Sequence, residues 1–396
     1  MKRLPNFYIA MFMAYNLQGS LYASGSILSR LLLLVIIFIS LYYFIYANLH
    51  FKLPTPLNIL SLLIVIWTIY GIVPLLFGTG NTSIQVNTFD YIKKIYVSLL
   101  PIYTFFVFFK KGWLTENMVK RWFIIFIFVA IADFYETRQN FLQEFADKGS
   151  YREEVTNNAG YIVLSLLPLL PLFSRRPLLQ YVFLFVIMLY VLMGFKRGAI
   201  LAGTVCTIWL LIRSFRLDSQ IMGRREKRNR ILRLFSLVLL FVGAVIAVHY
   251  FRSTSDYFNA RIEETLEGDS SGRDELYSFF FNYFINEDSI FTFLFGNGAY
   301  GTLHIFVNGA HNDWLQIAID NGLVCLILFA AYWISMIKMI YKGNARSNTN
   351  IILGMYFIIY FMATLFSMSF SNTPVYATCA LGFAMANYEY KNRRYN

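Results

Sequence analysis

The sequence predicts an all-α, polytopic membrane protein, and three observations predict it. Hydrophobic residues make up 58% of the 396 and charged residues only 14%. Apolar runs long enough to cross a bilayer recur from one end of the chain to the other. The cations gather in alternate gaps between those runs. Backbone polar groups in hydrocarbon must be hydrogen-bonded internally, so a chain of this kind crosses as helices of roughly 20 residues.

Applied from the N-terminus, that rule marks about twelve spans: 5–23, 27–47, 57–77, 91–109, 118–136, 159–173, 177–195, 197–212, 231–251, 312–341, 350–367 and 372–388. The first is interrupted by Asn16, Gln18, Gly19 and Ser20, and 159–173 is short and carries Pro168 and Pro171. Three parts result: spans one to nine (1–251), a large outer loop (252–311) and the last three spans (312–396). A polar, acidic segment at 137–158 is a second outer excursion.

An even count returns both termini to one side, and retention of Lys and Arg in the cytoplasm says which side. Of the 34 Lys and Arg residues, 23 fall in tails and loops on the side of the termini, eight of them between Arg213 and Arg233. Only four acids share that side: Glu116, Asp218, Glu226 and Glu389. The net charge of +12 is therefore an orientation signal, and the basic run 213–233 reads as a loop facing lipid headgroups, with no nucleic-acid partner expected.

Several function classes are excluded by what the motifs lack. Cys206, Cys325 and Cys379 all fall inside spans, which argues against a disulfide framework or thiolate cluster. No Walker-type glycine loop precedes a lysine, and the four histidines lack HExxH spacing. Neither an ATP-driven pump nor a zinc protease is expected. The N-terminus has no cleavable signal pattern, so the first span is expected to stay as an anchor.

Chemistry concentrates on the outer side. A glycine-punctuated loop, GNGAYGTLHIFVNGAHNDWLQ from Gly296, delivers His311 to the start of a long apolar helix. Imidazole is the side chain suited to proton transfer near neutral pH. Asn312 or Asp313 can cap that helix, and Asp313 can alternatively orient the imidazole. Asp313, Gln316 and Asp320 follow at helical spacing, a polar stripe running about two turns into the bilayer, where acids mark a site or a buried network. Gly296, Gly298 and Gly301 let the preceding loop turn tightly. Their GxGxxG-like spacing carries no dinucleotide signal, because no βαβ unit surrounds it.

Upstream, GDSSGRDELYSFFFNYFINE has the pattern of a helix at the membrane surface, capped by Asp269, Ser270 or Ser271. Leu276, Phe279, Phe280 and Tyr283 recur on one face, and Arg273 falls in the first turn. A helix N-terminus with a guanidinium beside it suits phosphate oxygens; pairing of Arg273 with Asp269, Asp274 or Glu263 is the equal alternative. Lys196 and Arg197, in MGFKRGAI, lie at an outer junction between two spans, against the orientation trend. Lys196 can snorkel to headgroups, whereas Arg197, directly before Gly198, reads as a functional cation.

In the order MGFKRGAI, SSGRDELY, FGNGAYG and GAHNDWLQIAIDNGL, the chain resembles the O-antigen ligase/polymerase family of bacterial envelope glycosyltransferases, over roughly residues 160–340. The resemblance implies a fold of the GT-C type with about a dozen spans and a large periplasmic loop, in the bacterial inner membrane with cytoplasmic termini. It implies glycan transfer from an undecaprenyl pyrophosphate carrier to an acceptor hydroxyl, without metal or cofactor. The acceptor is a second lipid-linked glycan for a polymerase, favoured by the idiosyncratic aromatic spans, or lipid A-core for a ligase. A chain-length regulator protein is a further implied partner.

Carried over by position, the resemblance makes Arg197 and Arg273 the pyrophosphate contacts and His311 the base, with Lys196, Gly296, Gly298, Asn312, Asp313 and Gln316 in support. Lys196 stands where the family commonly has a serine. A transporter or lipid-linked oligosaccharide flippase is the competing class, but the large outer loop ending in a base is no feature of one.

Overall fold

The computed structural model describes residues 3–77, 88–148, 159–218, 272–306, 309–345, 347–367 and 372–388, with scattered positions between 231 and 263. Among them every regular element is helical. In chain order these are α1 (Leu4–Asn16), α2 (Ile27–His50), α3 (Thr55–Phe77), α4 (Thr88–Lys110), α5 (Glu116–Lys148), α6 (Ala159–Leu164), a 3₁₀ segment (Leu167–Phe173), α7 (Pro177–Met193) and α8 (Arg197–Asp218). After the large gap come α9 (Arg273–Ile285), α10 (Ile290–Phe295), α11 (Gly301–Ile305), α12 (Asp313–Lys342), α13 (Asn348–Phe366) and α14 (Val375–Ala386).

Five of these, α2, α3, α4, α12 and α13, are long and apolar enough to cross a membrane. Large apolar side chains on their outer faces are exposed, among them Leu31, Phe38 and Ile45 on α2 and Ile327, Ile334 and Ile337 on α12. Such stripes fit a protein embedded in lipid rather than one covered by water.

Several predicted spans differ in extent. The first stops at Asn16, and the chain then turns through Gly19 and Gly25, both at positive φ. The turn is held by the Gly19 amide on the Tyr22 carbonyl (2.6 Å) and the Tyr22 hydroxyl on the Ala14 carbonyl (2.7 Å). The interrupting polar residues thus end the helix, because they close a turn more cheaply than they extend a span. The segment 159–173 is α6 followed by a 3₁₀ stretch, since Pro168 and Pro171 each remove an amide donor. The outer segment expected at 137–158 begins as a continuation of α5 to Lys148. Most of the expected span 231–251 lies outside the described residues.

The core is built around α4, whose Phe105, Phe106 and Phe108 are fully buried. α4 packs against α2, α3 and α14. A Cβ at Gly382 of α14 would lie 2.6 Å from the Phe105 Cβ, so that crossing is as close as it is because the residue is glycine. Buried hydroxyls tie helices together: Tyr8 with Ser40 (2.6 Å) and Ser61 with Tyr103 (2.8 Å). Each such bond contributes about 0.6–2 kcal/mol between membrane helices. Cys206, Cys325 and Cys379 are all buried and none is disulfide-bonded.

The bundle has two unlike ends. At one, Asn348 meets Ser174 (3.1 Å) and Tyr388 meets the Met339 carbonyl (2.6 Å), in a region carrying Arg175, Arg176, Lys338 and Lys342. At the other, α9 to α11 fold over the start of α12.

Candidate functional site

His311 sits at the turn into α12 and takes a left-handed backbone conformation, φ 49°. For a residue with a Cβ this costs about 1–2 kcal/mol, so the surroundings must hold it. They do so with hydrogen bonds. Asn312 caps α12, its Oδ1 accepting from the Trp314 (2.9 Å) and Leu315 (3.2 Å) amides. Its Nδ2 donates to the Leu365 carbonyl (3.2 Å), at the last turn of α13. The Tyr277 hydroxyl lies within bonding distance of the His311 carbonyl (3.2 Å) and the same Leu365 carbonyl (3.3 Å). Trp314 Nε1 donates to Thr364 Oγ1 (3.1 Å), so one face of the α12 start is fixed to α13.

Arg273 is the first residue of α9, as expected, but the capping differs. Its N-cap is Gly272 at φ 73°, with no side-chain cap; Asp269, Ser270 and Ser271 lie outside the described residues. Arg273 Nη1 donates to the Phe366 carbonyl (3.3 Å), next to the carbonyl that receives Asn312. Phe280 is fully buried against Ala310 and Ile319, flanked by Leu276, Tyr283 and Phe284. Phe279, expected on the same face, is exposed because it lies a helical step away from that seam. Burial pushes the Tyr277 phenol up, an effect partly offset by the nearby Arg273 charge, so Tyr277 remains a donor at neutral pH.

Arg197 opens α8 and is half-buried. The turn that places it runs through Gly194 and through Phe195 at φ 51°, with the guanidinium of Arg138 over the Phe195 ring (5.5 Å). Glycines set the spacing here. A Cβ at Gly194 would come within 2.9 Å of the Gly160 Cα, and one at Gly160 within 3.3 Å of the Ala199 Cβ. A Cβ at Gly198 would strike the Tyr161 hydroxyl and sit 3.5 Å from the Phe366 Cβ. Phe366 is therefore the shared neighbour of the α8 start and of Arg273. Tyr161 lies between them, and its buried hydroxyl has no hydrogen-bond partner while feeling the Arg273 charge.

The other face of α12 is organised by a break. At Gly322 the backbone leaves helical geometry (φ 74°, ψ −179°). The loop fills the gap: the Asn297 amide donates to the Ile319 carbonyl (2.9 Å) and the Gly298 amide to the Asp320 carbonyl (2.8 Å). Gly296 (φ 79°) and Gly298 (φ 91°) turn the loop as expected, and a Cβ on Gly296 would collide with the Asp320–Asn321 backbone. Gly301 serves differently: it starts α11 and lets it approach Asp320. Asp320 Oδ1 accepts from the Thr302 amide (2.7 Å), and Gln316 Nε2 bridges Thr302 Oγ1 and Asp320 Oδ2. Gln316 Oε1 also accepts from the Ala310 amide (3.3 Å), one residue before His311.

Beside this network lies a cavity of about 190 Å³ between α3, α4 and α12. Aromatic walls come from Trp67, Tyr91 and Tyr300, and Asp313, Gln316 and Asp320 contribute polar groups. Burial, with Asp90 and Asp320 nearby, pushes the Tyr300 phenol up to about 12.

The expected residues thus fall into one neighbourhood at one end of the bundle. The backbone at His311, the Asn312 side chain, Arg273 and the start of α8 meet around Leu365 and Phe366. Asp313 and Gln316 turn to the cavity, Gly296 and Gly298 serve the break in α12, and Lys196 is half-buried beside Arg197. Sequence reasoning missed Tyr161, Tyr277, Tyr91 and Tyr300, which carry no motif among 28 tyrosines. It also missed the break at Gly322, although Asn-Gly in a helical pattern is a breaker signal. No protein-family model matches the chain, and no curated protein matches it.

Proposed function

We propose that the protein is a membrane glycosyltransferase of the O-antigen ligase/polymerase type, joining lipid-linked saccharide units on the outer face of the bacterial inner membrane. The observation that carries the reading is the meeting of Arg273, the α8 start bearing Arg197, and the His311 turn at the last residues of α13. Two cations and a base from three separate stretches of chain have no packing reason to gather at the end of a fourth, and charges within a bundle are costly unless used.

In this reading Arg197 and Arg273 hold the pyrophosphate of an undecaprenyl pyrophosphate-linked donor, with the Tyr161 hydroxyl as a neutral donor to the same oxygens. His311 takes the proton from the acceptor hydroxyl as its oxygen attacks the anomeric carbon. The bond to the phosphate oxygen breaks as the new glycosidic bond forms, with inversion. The carrier pyrophosphate leaves with the negative charge, which the guanidinium groups stabilise. No metal or cofactor is required by this chemistry. The architecture that accompanies it is twelve spans of the GT-C type, with cytoplasmic termini and a periplasmic loop at 252–311. The acceptor is a second lipid-linked repeat unit, which makes the protein a polymerase.

The test expresses wild type, His311→Ala and Arg273→Ala in a strain that makes lipid-linked repeat units but lacks its own polymerase and ligase. A ladder on carrier lipid with wild type alone is the expected result, and it should persist in EDTA-treated membranes. Transfer to lipid A-core instead identifies a ligase, and no product from wild type sinks the transferase reading.

A further inference from the structure

None of the side chains of α10 is fully buried, although the sequence, IFTFLF, is apolar but for Thr292. Ile290 is 71% exposed, Phe291 69% and Phe295 41%. Phe291 and Phe295 stand one helical turn apart with ring centroids 5.1 Å from each other, so they form one outward stripe. Phe293 turns the other way and stacks on Phe284 of α9 (4.9 Å). Leu294 meets the break in α12, where a Cβ at Gly322 would strike its carbonyl. An exposed aromatic stripe on so short a helix marks an interface.

The depth of that stripe follows from two neighbours. On α3 the Tyr70 hydroxyl donates to the Phe295 carbonyl. From Thr55, where α3 begins, to Tyr70 is fifteen residues, a rise of about 22 Å. On α12 the chain after Phe295 joins the backbone at the break, and from Gly322 to Lys338 or Lys342 is sixteen or twenty residues, a rise of about 24–30 Å. The hydrocarbon core is roughly 30 Å thick, and helix tilt only shortens these rises along the membrane normal. Measured from the basic end of the bundle, the end of α10 therefore falls within the acyl-chain layer or at its edge. The two helices it touches expose apolar side chains at the same level: Ile69, Ile72 and Val73 beside Tyr70, Val324 and Ile327 just past Gly322. The backbone obeys the rule for that depth, where irregular chain has to be paired within the protein. The Thr292 carbonyl accepts from the Gly296 amide (2.7 Å), the Phe295 carbonyl from Tyr70, and the Asn297 and Gly298 amides reach the Ile319 and Asp320 carbonyls. Glu287 and Asp288 precede α10, and no charge follows from Ser289 to Ala299.

We infer that α10 is a re-entrant element: it enters the leaflet at the His311 end of the bundle, presents Ile290, Phe291 and Phe295 to phospholipid acyl chains, and returns through Gly296–Gly298. Lipid is the occupant because the stripe lies at acyl depth on a surface whose flanking helices already face lipid. Part of the segment 252–311, which the sequence reads as a loop outside the membrane, thus lies inside it, and the chain leading to His311 is anchored in the leaflet. The inference does not rest on the transferase reading.

The experiment is nitroxide collision spectroscopy on the full chain in phosphatidylcholine vesicles. The nitroxide is attached at Phe295→Cys in one sample and at Phe291→Cys in another. Cys206, Cys325 and Cys379 are buried, and labelling of the unsubstituted chain sets their background. Ile69→Cys, beside Tyr70, is the lipid reference, and Glu275→Cys, exposed on α9, is the aqueous one. The readout is the ratio of collisions with oxygen, which partitions into lipid, to collisions with a neutral nickel chelate, which stays in water. At Phe295→Cys it should match Ile69→Cys, and at both test positions it should exceed Glu275→Cys severalfold. A ratio at the Glu275→Cys level puts α10 in water and overturns the inference. Few collisions with either reagent mean that protein, such as a second copy of the chain, covers the stripe, which overturns it equally. Product formation plays no part in this readout, so loss of the transferase reading leaves the result standing, and an α10 found in water leaves the transferase reading untouched.

Discussion

Two junctions in this protein do the same job by different means. At 194–198 and at 309–313 the chain turns into a helix through a non-glycine residue held in the left-handed region, Phe195 in one case and His311 in the other. The first turn is held by the absence of side chains: Gly160, Gly194 and Gly198 bring three helices into near-backbone contact and leave Arg197 at the start of α8. The second is held by polar side chains, with Asn312, Tyr277 and Gln316 engaging backbone groups of α12, α13 and the loop. Steric closeness fixes where a helix starts and acts on the backbone alone. A hydrogen-bonded turn fixes a short imidazole, whose use depends on position.

The contrast breaks most visibly at Gly194. Gly194→Ala places a Cβ against the Gly160 backbone, and overpacking of this kind costs about 1–3 kcal/mol. Gly272→Ala is the control: it has the same added methyl and a positive φ, but nothing within 4 Å, so only the backbone penalty of about 1 kcal/mol remains. Thermal unfolding in detergent should give the lower midpoint for Gly194→Ala. Equal midpoints would mean that the glycine contacts do not hold the first junction.

At the second junction the effect should be smaller and carried by one bond set. Asn312→Ala removes a cap worth about 1 kcal/mol together with the tie to Leu365. Transfer should fall severalfold through kcat with the KM for donor little changed, because Arg273 keeps its own contact to Phe366. A rise in donor KM alone would place Asn312 in ligand binding.

The smallest effect has the opposite sign. His311→Gly relieves a left-handed backbone at a cost in unfolded-chain entropy, for a net gain of no more than about 1 kcal/mol. The variant should unfold at an equal or slightly higher temperature and yield no product. A destabilised His311→Gly would show that the imidazole, not the backbone turn, is what the surroundings hold.

Much of the end of the bundle around His311 was legible because it is written locally. Asn312 before an apolar run reads as a cap, Arg273 before an amphipathic run as a first-turn residue, and paired glycines before His311 as turns. What could not be read was contributed from afar. Tyr161 acquires meaning only because Gly198 and Arg273 come to it, and Tyr277 only because α13 ends beside His311. Span lengths misled for a related reason. Hydropathy records what lipid tolerates, whereas prolines at 168 and 171 and the Gly19 turn record what the backbone can do. The polar stripe of Asp313, Gln316 and Asp320 was visible, yet the break below it was not, since an apolar sequence continues unaltered past Gly322 to Lys342.

That break ties assembly order to topology. The Ile319 and Asp320 carbonyls accept from the amides of Asn297 and Gly298, from a segment translated earlier. Until that segment docks, both carbonyls at the break lack these amide donors, and unsatisfied groups in an apolar surrounding are costly. The loop is therefore completed by a helix made after it, and the cavity wall closes only at that late step. The pair of glycine sequences at 296–298 and 321–322 is accordingly one structural unit split across the chain, and transplanting either half alone into another scaffold should fail.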